Sequence, residues 1–399
     1  MQSTPGRTPT PAAPTSLAAA FAAVPDPRRA ASIRCPLPAV LALAVAALLA
    51  GQRSVLAIAE WGARQDGSVL GALGFPGGGT PCQSTLQRLF RHLDGGALAA
   101  ALTAHTAPLA TPTDDLQGVA VDGKAHRGRL RFAEPGGPVH ALSAVCHDAG
   151  LVLAHTPIAT DGDPAGGKAA AELSVAPALV ARIDWHDRVL TGDALFCQRD
   201  LCQQVGDAGG YYLLLVKANQ PALHDAVRLL FDPPVDLDPL PLRDRRDAQT
   251  MDRGHGRSDE RRHLVASTDL TTYLDWPGVR QVFRLERTWR AHGRPHRARC
   301  YGITSLPPER ADAARLLALR RGHWTIENGV HRQKDVAFGE DASLVRLGQG
   351  PTVLALLRDA ALTLLHRAGV RQIAARLRRH AQHPEQAVAL VVAPLTTHA

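Results

Sequence analysis

Val119-Ala120-Val121-Asp122-Gly123-Lys124 is the stretch on which the fold turns. It is an apolar run that ends in a carboxylate and leaves through a glycine. Upstream of it, from Phe21 to about Leu109, apolar residues recur at helical spacing, with runs at Leu37–Leu49, Ser54–Ala63 and Thr85–Leu93. At Leu116 the period changes. Leu116–Asp122, Val139–His147 and Leu151–Ile158 read as strands separated by Gly, Pro and Asp turns. Lys168–Ile183 then reads as a helix, Arg188–Asp193 as a strand, Gln198–Val205 as a helix and Tyr211–Val216 as a strand.

Three strands joined by turns, followed by alternating helices and strands, predict an α/β fold with an RNase H-like core, although periodicity alone leaves other α/β sheets open. Residues 221–305 break the rhythm. His263–Ser267, Val279–Glu286 and Ala298–Ile303 are β-like, so this segment reads as a mainly β insertion. Helix returns over Pro308–Lys334 and again over about Thr352–Ala368. The expected organisation is a disordered tail (1–20), a helical domain (21–110), an RNase H-like core (111–220 with 306–372), the insertion (221–305) and a C-terminal tail (373–399).

The chain has 399 residues, 45% of them apolar, and a formal net charge of +8. Residues 280–380 hold 20 Lys and Arg against 8 Asp and Glu, a net of +12, so the remainder carries −4. That balance favours a polyanionic partner, although a solvated arginine-rich face would give the same count. The six cysteines form no CxxC pair and read as reduced thiols of a cytosolic protein. Leu37–Ala50 is the longest apolar run; it is short for a membrane span and reads as a buried helix, so no membrane association and a cytoplasmic location are expected. No glycine-rich phosphate loop ending in Lys-Ser/Thr occurs, so ATP is not implied.

Val189-Leu190-Thr191-Gly192-Asp193-Ala194 repeats the pattern of the first stretch: an apolar strand, then Asp, then small residues. Two strands of one sheet that both end in Asp can bring their carboxylates together. Their mutual repulsion is relieved by a hard divalent cation with oxygen ligands. Taken alone, Asp122 fits a capping residue better than a ligand. The third carboxylate is Glu327, in Arg321-Gly322-His323-Trp324-Thr325-Ile326-Glu327-Asn328. At α-helical spacing His323, Glu327, His331 and Lys334 share one face; a surface ion-pair cluster accounts for them equally well. His140, His147 and His155 read as structural histidines. Gly254-His255-Gly256-Arg257 reads as a phosphate-contacting loop or as a plain turn.

Six motifs in order carry a resemblance. They are Asp122-Gly123-Lys124 with Arg127-Gly128, His140-Ala141-Leu142-Ser143-Ala144, Gly192-Asp193-Ala194 with Cys197-Gln198, Tyr212 through Gln220, Gly254-His255-Gly256-Arg257 with Glu260 and Arg262, and His323-Trp324 through Ser343. Together they resemble the DDE transposases of bacterial insertion sequences, specifically the ISAs-type group that includes the H-repeat-associated proteins. The match spans roughly residues 21–370. Arg332 stands where that family often has Trp, and Ala125-His126 departs from its first motif; neither position is a carboxylate.

The resemblance implies an RNase H fold, a β insertion before the last catalytic helix, and a triad of Asp122, Asp193 and Glu327 holding two Mg²⁺ or Mn²⁺ ions. It implies double-stranded DNA as substrate and a homodimer assembled on that DNA. Lys124, Arg127, Arg257, Arg321, His323, Trp324, Asn328, His331 and Lys334 are the residues expected to touch DNA, Lys334 through a phosphate beside the scissile one. Two rivals stay open: a stand-alone RNase H-like nuclease, and a non-catalytic or decayed transposase-derived DNA-binding protein.

Overall fold

The computed structural model describes residues 16–110, 116–125, 140–158, 167–234, 242–254, 257–292 and 294–394. The chain divides into two compact units, residues 1–111 with 343–399, and residues 112–342.

The second unit is built on one nine-stranded sheet in the order β3-β2-β1-β4-β5-β9-β8-β7-β6. Strands β1 (Gln117–Ala125), β2 (His140–Cys146) and β3 (Val152–Ile158) form an antiparallel meander. The Gly167–Val180 helix then carries the chain to β4 (Arg188–Gly192), which pairs in parallel with β1. The Arg199–Asp207 helix leads to β5 (Tyr211–Val216), parallel to β4. All five residues of β4 are buried, as a parallel strand covered on both faces requires. This is a mixed α/β, RNase H-like core.

The insertion extends that sheet. Strands β6 (Arg246–Gly254), β7 (Arg257–Ser267), β8 (Gln281–Ala291) and β9 (Arg294–Thr304) form an antiparallel meander, and β9 pairs antiparallel with β5. These strands are longer than their apolar centres suggested. β8 and β9 bury only the ends nearest the core and carry exposed polar tips. β6 was not foreseen, because Arg246-Asp247-Ala248-Gln249-Thr250-Met251-Asp252 has little apolar alternation. It is an edge strand, where charged side chains guard against stray pairing. The Ala313–Gly322 helix, capped by Asp312, packs Leu316, Leu317 and Leu319 with Val189, Leu213 and Leu215 of the core strands and Leu264, Phe283 and Leu285 of the insertion. One hydrophobic layer therefore spans both.

In the first unit, the Leu37–Leu49 helix buries every residue but Pro38. It packs with the Val55–Ala63, Gly350–Arg367 and Pro384–Val392 helices. No helix of the described residues is long and apolar enough to cross a membrane. Residues 343–372 were expected in the catalytic core and 373–399 as a tail; by packing, both segments group with the N-terminal helices. The reason lies in the Gly350–Arg367 helix, whose apolar residues are buried nearly all round, and in His380, whose Nδ1 lies 3.2 Å from the Leu49 carbonyl. The expected disordered tail falls outside the described residues up to position 15; Ser16 then caps a short Leu17–Ala20 helix. All six cysteines are free thiols.

Candidate active site

Parallel pairing sets the first two carboxylates side by side. Ala120 of β1 is opposite Thr191 of β4, so Asp122 stands level with Asp193 two residues on. Asp193 is exposed and leaves the strand by capping a short turn, its Oδ1 accepting the Leu195 N–H at 2.9 Å. Burial pushes the Asp122 carboxyl up to about 7; the Gly123 N–H opposes the rise, and the Glu172, Glu327 and Asp193 carboxylates add to it. These four acids thus lie within reach of one another's charge.

Glu327 arrives by an unexpected route. The helix predicted over 308–334 stops at Gly322, and Ile326–His331 is a π-turn in which the Arg332 N–H donates to the Glu327 carbonyl. One extra residue per turn rotates everything after it, and such bulges recur at functional sites. The single face expected for His323, Glu327, His331 and Lys334 is therefore split. Glu327 and Asn328 are exposed, Trp324 is 45% exposed, and His331 places Nδ1 3.5 Å from Asp122 Oδ2. His323 and Lys334 turn inward.

Two of the residues expected to touch DNA are buried. Lys334 is 2% exposed, with Nζ 3.4 Å from Glu340 Oε1, so it cannot reach a phosphate. His323 is buried, its Nδ1 3.2 Å from Thr191 Oγ1, and the same hydroxyl lies 2.8 Å from Nε2 of buried His147. Lys124 is committed as well. Its Nζ donates to Asp335 Oδ2 at 2.6 Å and to the His331 carbonyl at 3.3 Å, and lies 3.8 Å from Glu340 Oε2. Lys124, Lys334, Asp335 and Glu340 form a charge network that ties β1 to the π-turn and its following helix. Arg321 donates to both carboxylate oxygens of Asp252 at 2.8 and 2.9 Å. Arg127 lies outside the described residues, as does the side chain of Arg257 on β7.

His147 is the wedge that seats the Glu327 segment. A Cβ on Gly118 would lie 2.1 Å from its Nδ1, and a Cβ on Gly322 would lie 2.2 Å from the same atom. Both glycines are required by that close approach, which fits the structural role expected for His147. Burial holds His147 and His323 neutral, with pKa values lowered to about 3. Unfolded, each takes a proton near pH 6.5. Their contribution to stability is therefore present above pH 6.5 and drains as pH falls toward 3. Urea midpoints measured at steps between pH 7.5 and 4 should fall, and less steeply in His323→Gln; parallel profiles for the two proteins would contradict this.

Glu172 was missed from sequence. It sits mid-helix among alanines, 4% exposed, with its carboxylate over β1: a Cβ on Gly123 would be 2.1 Å from Oε1. The only trace in the sequence is Gly123 itself. Among the described residues no three His, Cys, Asp or Glu side chains are gathered closely enough to hold a metal ion. The donor chemistry nonetheless suits a hard divalent cation. Asp122, Asp193 and Glu327 offer oxygen only; burial is the main cause of the raised Asp122 carboxyl, and the neighbouring Glu172, Glu327 and Asp193 carboxylates add a charge that a cation would neutralise.

Two family models match. The domain described as DDE_Tnp_1-associated covers residues 18–106, and the Transposase DDE domain covers residues 116–364. The chain belongs to the DDE transposases, in the H-repeat-associated group. It is 31% identical over 288 residues to an uncharacterized protein from the dhlA 3′ region of Xanthobacter autotrophicus, covering 71% of this chain and 92% of that one. To YncI of Escherichia coli O157:H7, named as a candidate transposase, it is 27% identical over 351 residues, 86% of this chain and 85% of that one. To YhhI of Escherichia coli (strain K12), named as a candidate H repeat-associated transposase, it is 26% identical over 263 residues, 63% and 65% of the two chains. Among solved structures, the piggyBac transposase synaptic complex with hairpin DNA aligns over 91% of this chain and 75% of that one, at 10% identity and a TM-score of 0.41, too distant to carry an argument.

Proposed function

We propose that this transposase cuts DNA at the ends of its insertion sequence and joins those ends to target DNA, with Asp122, Asp193 and Glu327 as the catalytic carboxylates. The observation that carries the reading is the level placement of Asp122 and Asp193 on adjacent parallel strands, with Glu327 acting on the same charge. These three residues would hold two Mg²⁺ or Mn²⁺ ions, which supply activation of the attacking oxygen and stabilisation of the leaving one. The protein's own part is positional. β1 and β4 fix two carboxylates on rigid backbone, and the π-turn presents the third to solvent, where a phosphodiester can approach. His331, beside Asp122, orients that carboxylate. Trp324 and Asn328 lie exposed on the same segment and contact the DNA strand. The protein works as a homodimer assembled on DNA, in the cytoplasm at the nucleoid.

The experiment is a plasmid carrying the element's two ends, incubated with purified protein. Cleavage at the ends and joined products are expected with Mg²⁺ or Mn²⁺, whereas Ca²⁺ supports binding without turnover. Full activity in excess EDTA would refute the metal assignment. Cleavage that never yields joined products would favour a stand-alone nuclease. The helical unit is assigned to end recognition, through the Gln83–His92 helix with its exposed Arg88 and Arg91. In the same assay Arg88→Gln/Arg91→Gln should lose preference for the end-bearing plasmid over one without ends.

A further inference from the structure

The arm formed by the outer halves of β8 and β9 has no part in the site described above. Residues 287–298 contain Arg287, Arg290, Arg294 and Arg297 and no acidic residue. A concavity of about 790 Å³ opens there, with Arg261 of β7, Arg290, Arg297 and His296 in its lining. Its floor is aromatic. Trp289 stacks on His296 at 5.3 Å between ring centroids and 11° between planes, and the Arg287 guanidinium lies 5.0 Å from the Trp289 ring. Arg287 and Arg297 are held by Glu260 and Glu286. Arg261, Arg290 and Arg294 are exposed and make no ion pair among the described residues. A cation-lined hollow over a flat aromatic floor suits a phosphate backbone; an apolar protein surface would leave those guanidiniums uncompensated.

The strand register says where such a backbone would run. Gly192 is opposite Leu214, which puts Asp193 level with Leu215, and Leu215 is opposite Gly302 of β9. From Gly302, β9 runs back past the carboxylate end of the sheet to Arg297 and to Pro295, the partner of Arg290. Five to seven residues at about 3.3 Å each place the hollow about 16–23 Å beyond the carboxylates. At about 3.4 Å per nucleotide that is about five to seven nucleotides of duplex.

We propose that this arm, through Arg261, Arg290 and Arg294 beside the Trp289–His296 stack, binds the backbone of duplex DNA about five to seven nucleotides from the phosphate that is cut. The proposal rests on the reading of the chain as a DNA-cutting transposase and adds a second anchoring point to it.

The test uses the full chain, labelled duplexes and fluorescence anisotropy across a salt series in Ca²⁺. Each duplex carries the cleavage site with a flank of either about 12 or about 3 base pairs. The parent should bind the long flank roughly 10–100-fold more tightly than the short one near 0.1 M salt. Arg290→Gln/Arg294→Gln should lose that advantage, and its plot of log affinity against log salt should be shallower by about two units on the long flank. With Mg²⁺ the variant should cut the short duplex at the parental rate, which shows that its active site is folded. A parent indifferent to flank length, or a variant with the parental salt slope on the long flank, overturns the proposal. A parent that binds neither duplex overturns the transposase reading as well, and that result is distinct from either of the first two.

Discussion

Asp122→Asn should raise the stability of the metal-free protein while abolishing DNA cleavage. Asn has the size of Asp and removes only the charge. The Asp122 carboxyl is pushed up to about 7, first by burial and then by Glu172, Glu327 and Asp193. A folded pKa above the ordinary value of about 3.8 means that the fold prefers the protonated form. The group's contribution is therefore intact below pH 3.8 and lost as pH rises through 7. At pH 8 in EDTA the parent holds a half-buried carboxylate among others; the variant does not, and should melt a few degrees higher. With Mg²⁺ the order reverses. Neutralising a metal-binding carboxylate should lower cleavage by on the order of 10³-fold or more, about 4 kcal/mol of barrier. Asp193→Asn and Glu327→Gln should lose activity to the same extent. Melting curves at pH 8 and 5, read beside a nicking assay, decide the matter. Retained cleavage in any one variant removes that residue from the triad, and a destabilised Asp122→Asn would mean that the carboxylate is structural.

Glu340→Gln should be among the most damaging substitutions at a residue that touches no DNA. Glu340 is 1% exposed and faces two ammonium groups, Lys334 at 3.4 Å and Lys124 at 3.8 Å. Removing one charge of a buried set strands the others, at about 3–5 kcal/mol. In a unit of this size that lowers the melting temperature by about 10 °C. Lys334→Met/Glu340→Met removes a matched pair and leaves Lys124 with Asp335, so it should recover most of the loss. Denaturant unfolding of the parent, the single and the double variant tests this. A single variant within about 1 kcal/mol of the parent, or a double variant worse than the single, would show that the network carries little of the fold.

The first five strands were legible because each is an apolar run, but β1 does not leave at Gly123 as expected: it stays paired with β2 to Ala125, so Asp122 lies within the strand, whereas Asp193 follows the end of β4. Strand reading could pair Asp122 with Asp193, but only the resemblance singled them out with Glu327 as a triad. Glu327 could be picked out, but its orientation could not. A π-turn has the composition of an α-helix, and its one-residue surplus is decided by how Ile326 and Val330 pack, both fully buried. Lys334 comes after that extra residue and turns inward with it; His323 comes before it and is buried against Thr191. Lys124 and Lys334 looked like DNA contacts for a simpler reason: lysines beside carboxylate motifs in a basic chain suggest phosphate. Asp335 and Glu340, the residues that bind them, come from a turn more than 200 positions after Lys124. β6 escaped because an edge strand with polar side chains lacks the alternation that marks a half-buried one.

Because the helical unit joins residues 16–110 to residues 343–394, its assembly is bound to the order in which those two segments are made. The Leu37–Leu49 helix leaves the ribosome early with apolar residues on every side. Two of the helices that cover it, Gly350–Arg367 and Pro384–Val392, are made only after the entire second unit. Meanwhile β6 to β9 can pair locally, one hairpin after another, whereas β1 waits some 70 residues for β4. Glu327 follows all nine strands. A nascent chain therefore carries an exposed apolar helix until residues 350–392 have been made, and lacks Glu327 until all nine strands have been made. A frameshift or stop codon within the codons for residues 343–384 would yield a protein that keeps Asp122, Asp193 and Glu327 yet leaves the Leu37–Leu49 helix uncovered and open to proteases.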